Sequence, residues 1–373
     1  MFESYVEIDI DKIIANIQNI RSINPESMYC AVLKANGYGL GAYKIAEQIE
    51  EHVDYFAVAR LNEAISLREA GIKKPILILG AVYYKDVQKC IDYDIDIPLI
   101  DLEYAKEINN YIDGKINAHI LLDTGMGRIG FRDFEEDQIK ELKNLENINV
   151  ISAFTHFSTA DEADISYTEM QNDKFVKIIN DINDAFDLEF VHIANSAAAI
   201  KHNIKSDMMR VGISTYGIYP SDLLKEENDV ELKQCFSFKS RVIFIKEVEA
   251  GTSISYGRTF ISDKPMKIAT ISIGYADGYI RSFSNTGEVL INGNLCKVVG
   301  RVCMDQMMVD VTGVDVSVDD EVTIYPDIYK EAAKIETIAY ELMTSINLRV
   351  PRIYKKSGKI NSIDNYIGEI YED

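Results

Sequence analysis

The chain has 373 residues, 47% hydrophobic and 27% charged, an ordinary globular composition with length enough for two domains. A net charge of −21 works against a nucleic-acid or anionic-membrane partner, because phosphates would be repelled. The five cysteines, at positions 30, 90, 235, 296 and 303, form no CxxC pair and their odd number closes no disulfide set, so free thiols in a reducing cytoplasm are expected.

No apolar run approaches the roughly 18 residues that would span a bilayer, and Met1–Asp11 carries acidic residues in place of a basic, apolar export signal. Val6, Ile8 and Ile10 alternate with Glu7 and Asp9, as in a half-buried strand. Ile13, Ile14, Ile17 and Ile20 then follow helical spacing. From residue 28 a rhythm of short apolar run, turn and amphipathic segment sets in. The runs are 28–33, 55–59, 75–79, 95–100, 116–122, 150–155, 190–194 and 207–211. Between them lie helical patterns such as Ala42, Ile45, Ala46 and Ile49, or Phe175, Ile178, Ile179 and Ile182. Continuous apolar strands alternating with helices predict a parallel sheet covered on both faces. Eight such units fit a (β/α)₈ barrel over residues 11–231; the glycine-rich turn of a doubly wound dinucleotide fold is missing after the first run.

Near Leu232 the rhythm changes. Strand-like runs at 236–248, 266–273, 289–291, 297–302, 307–311 and 321–325, with turns such as Asn292-Gly293-Asn294, predict a mainly β domain over 232–373. A helix is expected near 335–344, a linker at 224–229, and the strand in residues 1–10 is expected to join this second domain.

Barrels of this kind place functional groups at the C-terminal ends of their strands. That rule gathers Lys34, Asp123 to Arg128, Thr155-His156-Phe157, His192 to Ser196 and Arg210-Val211-Gly212 at one mouth. Lys34 ends an apolar run and precedes a loop with two glycines. Burial there lowers a lysine pKa and makes a nucleophilic amine, able to form a Schiff base with a carbonyl cofactor. The plainer reading is a barrel lysine paired with a carboxylate. Asp123, His156 and His192 are a conceivable metal set, but two arginines and a lysine in the same mouth would repel a cation. Those cationic groups suit an anionic cofactor or a carboxylate substrate, with Arg128 as a carboxylate clamp and the backbone around Asn195-Ser196 and Gly212-Ile213 as a phosphate cradle.

These segments, together with Val6-Glu7-Ile8-Asp9, Phe56-Ala57-Val58-Ala59-Arg60, Ser255-Tyr256-Gly257, Gly274 to Tyr279, Cys303-Met304-Asp305 and Val350 to Tyr354, make the chain resemble the alanine racemases, fold-type III pyridoxal-phosphate enzymes, nearly end to end. The resemblance implies a cytoplasmic homodimer with shared active sites. It implies that Lys34 holds pyridoxal 5'-phosphate and serves as one acid/base group, with Tyr256 of a second subunit as the other. Racemisation needs two such groups, because the α-proton leaves from one face and returns on the other. By the same resemblance Tyr38, Asn195, Ser196, Gly212, Ile213 and Tyr354 hold the cofactor, with Arg210 at its ring nitrogen and His156 and His192 beside the guanidinium. Arg128, the backbone amide of Met304, Asp305 and Tyr275 fall on the substrate side, and Asp161 and Arg301 on an outer gate. No metal is implied.

Two positions depart from the family pattern. Leu121 stands where the family usually has a lysine, often carbamylated, and Leu40 where it usually has a histidine. The reading is therefore a racemase of alanine that supplies D-alanine to peptidoglycan, with a serine or broad-specificity racemase as its neighbour. A decarboxylase on the same fold would not need Tyr256, and a cofactor-binding protein without turnover would not need the second domain.

Overall fold

The computed structural model describes residues 2–132, 134–201, 204 and 206–366. Residues 367–373, which the expected second domain includes, lie outside the described residues. Two compact units divide the chain: one is Lys12–Gly37 with Ala42–Gln234, the other Met1–Asp11, Tyr38–Gly41 and Cys235–Asp373.

The first unit is the barrel. Met208–Val211, Met28–Val32, Tyr55–Val58 and Ile76–Ile78 form one parallel ribbon in that spatial order. Ile97–Leu99, Ile116–Leu121, Ile148–Phe154 and Phe190–His192 form another. A bridge between Leu77 and Asp96 joins them at one seam, and the Arg210 N–H donated to the Ala194 carbonyl joins them at the other, so the eight strands close. Closure explains the sequence pattern: with helices outside and side chains filling the interior, strands such as Ile76–Ile78 and Met208–Val211 are buried at every position.

The outer helices bury one stripe each. Ala42–Ile49 packs Ile45, Ala46 and Ile49 inward, and Leu102–Tyr111 packs Leu102, Ala105 and Ile108 after the Asp101 carboxylate caps it at the Tyr104 N–H. One expectation fails here. The segment 224–229, read as a linker, is largely the helix Asp222–Glu227 of the barrel unit. Ser221 caps it, Leu224 is buried, and Asn228 ends it in the left-handed region at φ 50°; local capping outweighs the polar composition.

The second unit is built around the long strand Phe236–Val248. It pairs antiparallel with Tyr5–Asp9, Met266–Ile271 and Glu321–Ile324. Tyr5–Asp9 also runs parallel to Arg352–Lys356, which turns back through Lys359–Asp364. Those last two strands carry Lys355, Lys356 and Lys359, and that charge hides them from a hydrophobic reading. The strand expected at 297–302 lies instead at Asn294–Lys297, paired with Glu288–Ile291. Asn292 and Gly293 both take positive φ (48° and 78°), the turn that matches strand twist and so sets the register. The helix expected near 335–344 is two, Ile328–Lys334 and Ala339–Thr344, with Glu336 at positive φ between them. Among the described residues no helix is long and apolar enough to cross a membrane.

Tyr38–Gly41 belongs to this second unit through two anchors. The Tyr354 hydroxyl donates to the Leu40 carbonyl at 2.9 Å. Arg352 is fully buried, and its guanidinium donates to the carbonyls of Gly39, Ile346, Asn347 and Val350. Replacing Arg352 by Met leaves those carbonyls without their charged donor. Arg352→Met is expected to destabilise the protein by about 3 kcal/mol, read as a lower urea midpoint; an unchanged midpoint would refute the anchoring role.

Candidate active site

Lys34 stands just beyond strand Met28–Val32, at the C-terminal end of the barrel. The backbone there does something L-residues avoid. Ala35, Asn36, Gly37 and Tyr38 take φ of 54°, 55°, 62° and 54°, a left-handed turn. Each non-glycine residue in that conformation costs about 1–2 kcal/mol, so other bonds must hold it. The Gly37 N–H donates to the Leu33 carbonyl at 2.7 Å, the Ala35 N–H to Glu63 Oε1 at 2.6 Å, and Asn36 Oδ1 accepts from the Ala42 N–H at 3.0 Å. Glu63 also accepts from the Ala59 and Arg60 N–H groups at its helix start. The sequence reading missed Glu63; its place three residues after Arg60, in the first turn of helix Leu61–Glu69, was the available signal. Burial lowers the Lys34 pKa, Arg128 and Arg210 lower it further, and Glu63 opposes them.

Arg210, on strand Met208–Val211, is only 4% exposed and has no carboxylate partner among the described residues. One terminal nitrogen donates to His192 Nδ1 at 2.8 Å and the His192 carbonyl at 2.6 Å; the other donates to the Thr155 carbonyl at 2.7 Å and His156 Nδ1 at 3.4 Å. The Phe154 ring lies 5.2 Å from the guanidinium carbon. Burial pulls the Arg210 pKa down to about 10, which leaves it cationic at neutral pH. A guanidinium can only donate, so both imidazoles must accept at Nδ1 and carry their proton on Nε2. The charges agree with this. Burial and then Arg210, with Arg128 and Lys34, push His156 down to about 3, and burial, Arg210 and His119 push His192 well below its usual range.

Both carboxylate oxygens of Asp123 are taken up by local donors. Its Oδ1 accepts from the N–H groups of Gly125 (3.2 Å) and Gly127 (2.8 Å), and its Oδ2 from Arg132 Nε (3.2 Å). Burial raises its pKa, but those three donors outweigh burial and keep it ionised. The carboxylate thus shapes the turn that presents Arg128. Arg128 is exposed and held by no hydrogen bond or ion pair among the described residues, and Leu121 is buried. Asn195 caps helix Ser196–Lys201 at the Ala198 N–H, and Ser196 Oγ accepts from the Gly212 N–H at 2.9 Å, which brings Ser196, Gly212 and Ile213 together. The mouth therefore gathers Lys34, Arg128 and Arg210; Arg128 lowers the pKa of both Lys34 and Arg210, and Arg210 lowers that of Lys34. That donor set fits a multiply charged anion carrying a carbonyl group, and it disfavours a metal cation.

The β unit assembles the remaining candidates on three loops. The Tyr275 N–H donates to the Cys303 carbonyl and the Ala276 N–H to the Met304 carbonyl, both at 3.0 Å. Asp277 accepts from the Gly274 N–H, and Arg349 bridges Asp277 (2.7 Å) and Asp305 (2.8 Å). Arg349 carries no motif signal and was not foreseen. Ser255, at φ 65°, donates to the Arg301 carbonyl and so fixes the loop that carries Tyr256. Tyr256 is 70% exposed, Met304 53% and Tyr275 42%, whereas Tyr38 and Tyr354 are buried. Of the two expected gate residues, Asp161 accepts from Ser221 Oγ through its carbonyl, and the Arg301 guanidinium packs against Gly257.

A closed (β/α)₈ barrel with a half-buried lysine of lowered pKa at its mouth defines an enzyme of amine chemistry. The comparisons with known proteins make the class specific. The alanine racemase N-terminal domain model matches residues 8–220 and the C-terminal domain model residues 235–354. Curated relatives include an alanine racemase of Caldanaerobacter subterraneus subsp. tengcongensis, 41% identical over 97% of both chains. Another is the alanine racemase of Methanococcus maripaludis, 42% identical over 94% of this chain and 98% of its own length. The crystal structure of alanine racemase from Bacillus anthracis with bound L-Ala-P superposes with a TM-score of 0.94 at 34% identity, covering 99% of each chain. That of Clostridium difficile superposes at 0.92 with 36% identity, covering 98% of this chain and 99% of its own. The chain belongs to the alanine racemase family and is an isomerase.

The depressed His156 pKa has a consequence for stability. Between its usual value and about 3, the unfolded chain binds a proton that folded His156 refuses. Stability present above about pH 6.5 is therefore expected to fall as pH drops through that window. In His156→Asn, which keeps an acceptor near the Nδ1 position, acid denaturation should follow a pH slope shallower by one proton; an identical slope would refute the assignment.

Proposed function

We propose that the protein is a pyridoxal-phosphate-dependent racemase that interconverts L- and D-alanine by a two-base mechanism and supplies D-alanine for peptidoglycan. It acts in the cytoplasm as a homodimer whose sites combine Lys34 of one chain with Tyr256 of the partner subunit. The observation that carries this reading is Lys34, a lysine at a strand end whose pKa burial, Arg128 and Arg210 all lower.

Bound at the mouth, pyridoxal phosphate supplies a covalent handle for the substrate amine and an electron sink for the Cα–H bond. Tyr38, Ser196, Gly212, Ile213 and Tyr354 would hold its phosphate, with Asn195 setting the turn before them. The rest of the chemistry is the chain's own. Lys34, made easier to deprotonate, takes or returns the α-proton at one face. Tyr256 works at the other. A tyrosine of ordinary pKa near 10 is a poor base, and it needs a donor to stabilise its phenolate. His156 has that donor, since Arg210 occupies its Nδ1 and leaves its proton on Nε2. Arg210 keeps its own proton, so it would leave a pyridine nitrogen held beside it unprotonated, a choice that would favour proton return over decarboxylation or transamination. Arg128, the Met304 amide and Asp305 take the substrate carboxylate, and Tyr275 limits the side chain. The exposure of Tyr256 supports its use by another chain.

Buried Leu121 favours a second reading, a serine or broad-specificity racemase. With no carboxylate paired to it among the described residues, exposed Arg128 has more freedom to follow a larger substrate.

The test is deuterium uptake at Cα of L-alanine and L-serine in heavy water, followed by chiral separation. Exchange with formation of D-alanine is expected; no exchange from L-alanine sinks the reading. Lys34→Ala and Tyr256→Phe should each lower turnover by about a thousandfold or more. Mixed and allowed to re-equilibrate, the two inactive variants should recover about a quarter of wild-type activity, because half the dimers are mixed and each of those has one intact site. No recovery would refute shared sites. Activity should also be indifferent to bicarbonate, since Leu121 cannot be carbamylated; strong dependence would refute the account of Arg128.

A further inference from the structure

Below the mouth the barrel buries polar groups that the proposed reaction does not touch. His119 lies midway along strand Ile116–Leu121 and is 0% exposed. Asp96 is buried just ahead of strand Ile97–Leu99, at the opposite end of the barrel from Lys34. His119 Nδ1 sits 2.8 Å from His192 Nε2. The other His119 nitrogen, Nε2, has no hydrogen-bond partner among the described residues and faces Asp96 Oδ2 at 3.6 Å, too long for a hydrogen bond. That same oxygen accepts from the Tyr55 hydroxyl. The rings of Tyr55, Phe154 and Phe190 pack edge-on around His119, and Phe154 stacks on His192 at 4.5 Å, so water is kept away from this line of groups.

Donor and acceptor rules orient every hydrogen along the line. Arg210 donates to His192 Nδ1, so His192 carries its proton on Nε2 and donates to His119 Nδ1. His119 is then protonated on Nε2 and turns that N–H toward the Asp96 carboxylate at 3.6 Å, an electrostatically favourable orientation beyond hydrogen-bond length. In the opposite register His119 would donate from Nδ1, His192 would accept at Nε2, and the His192 Nδ1–H would face an Arg210 N–H, donor against donor. The same register would set a bare His119 nitrogen against the Asp96 oxygen. Both ends of the line therefore select one arrangement.

We propose that Asp96 and His119 are positioning residues for Arg210: through the His192 tautomer they hold the guanidinium in place at the barrel mouth from the far end of the barrel. The functional consequence rests on the role of Arg210 proposed above; the tautomer itself does not. Four features support it: burial at each step, the alignment of donors and acceptors, a buried cation and a carboxylate at opposite ends, and the lack, among the described residues, of any carboxylate in direct contact with Arg210.

The experiment uses the holoenzyme with ¹⁵N- and ¹³C-labelled histidine, feasible because the chain has five histidines. Wild type should show His119 and His192 each as a single tautomer protonated at Nε2. In His119→Leu, His192 should populate both tautomers. Its kcat should fall about tenfold with KM within about twofold, and the absorbance maximum of the bound cofactor should shift. His119→Asn, which returns an acceptor near the Nδ1 position, should restore most of the kcat and the single tautomer. Asp96→Asn tests the far end without a cavity, since its amide can donate to His119 and admit the opposite register; mixed tautomers at both histidines are expected. An unchanged His192 tautomer and unchanged kcat in folded His119→Leu, or unchanged tautomers in Asp96→Asn, would overturn the proposal. Failure of the racemase reading would appear separately, as absence of Cα exchange in wild type with the tautomer response intact.

Discussion

A guanidinium buried without a carboxylate organises the catalytic end of this barrel. An isolated charge in a protein interior is expensive, and the usual remedy is an adjacent counter-ion. Arg210 is held instead by two carbonyls and two imidazoles, with an aromatic face alongside. That choice has consequences for everything near it. Both histidines become acceptors, stay neutral and lock their second nitrogen as a donor. Lys34 feels a cation and no direct compensation from Arg210's surroundings, so its amine is easier to deprotonate. A carboxylate bonded to Arg210 would cancel each of these effects.

A second constraint is conformational. The left-handed turn after Lys34 lets the chain leave the barrel unit at Gly37 and enter the β unit at Tyr38 within one residue. Glu63, Asn36 and the Leu33 carbonyl hold the barrel side of that turn, and Arg352 and Tyr354 hold the β side. Strain of this kind persists only where surrounding bonds over-determine it, and it is concentrated beside the lysine that carries the chemistry.

Much of this was legible because its signals are local. Lys34 stood out as a single charge ending an apolar run, and each of the eight runs overlaps one barrel strand. The departure at Leu121 was equally plain, since it needed only a position two residues before Asp123. Other features left no such mark. The helix Asp222–Glu227 reads as linker because its polar composition outweighs a single buried leucine. Arg352–Lys356 and Lys359–Asp364 are not among the expected strands because lysines crowd a pattern that pairing, not hydrophobicity, holds in place. Arg349, Glu63 and His119 are ordinary residues in ordinary segments until their partners are known.

The sequence by itself determined the architecture of alternating strands and helices, the change to β structure near Leu232, and the family to which the chain belongs. Periodicity, turn chemistry and motif order are properties of neighbouring residues, so a linear reading reaches them. Only the tertiary structure decided which protons point where. His119 and His192 are 73 residues apart, and Arg210 and Thr155 are separated by 55, so no window of sequence contains the bonds that orient them. Closing the barrel brings those groups into one desolvated line, and desolvation turns their donor and acceptor inventory into a single arrangement of hydrogens.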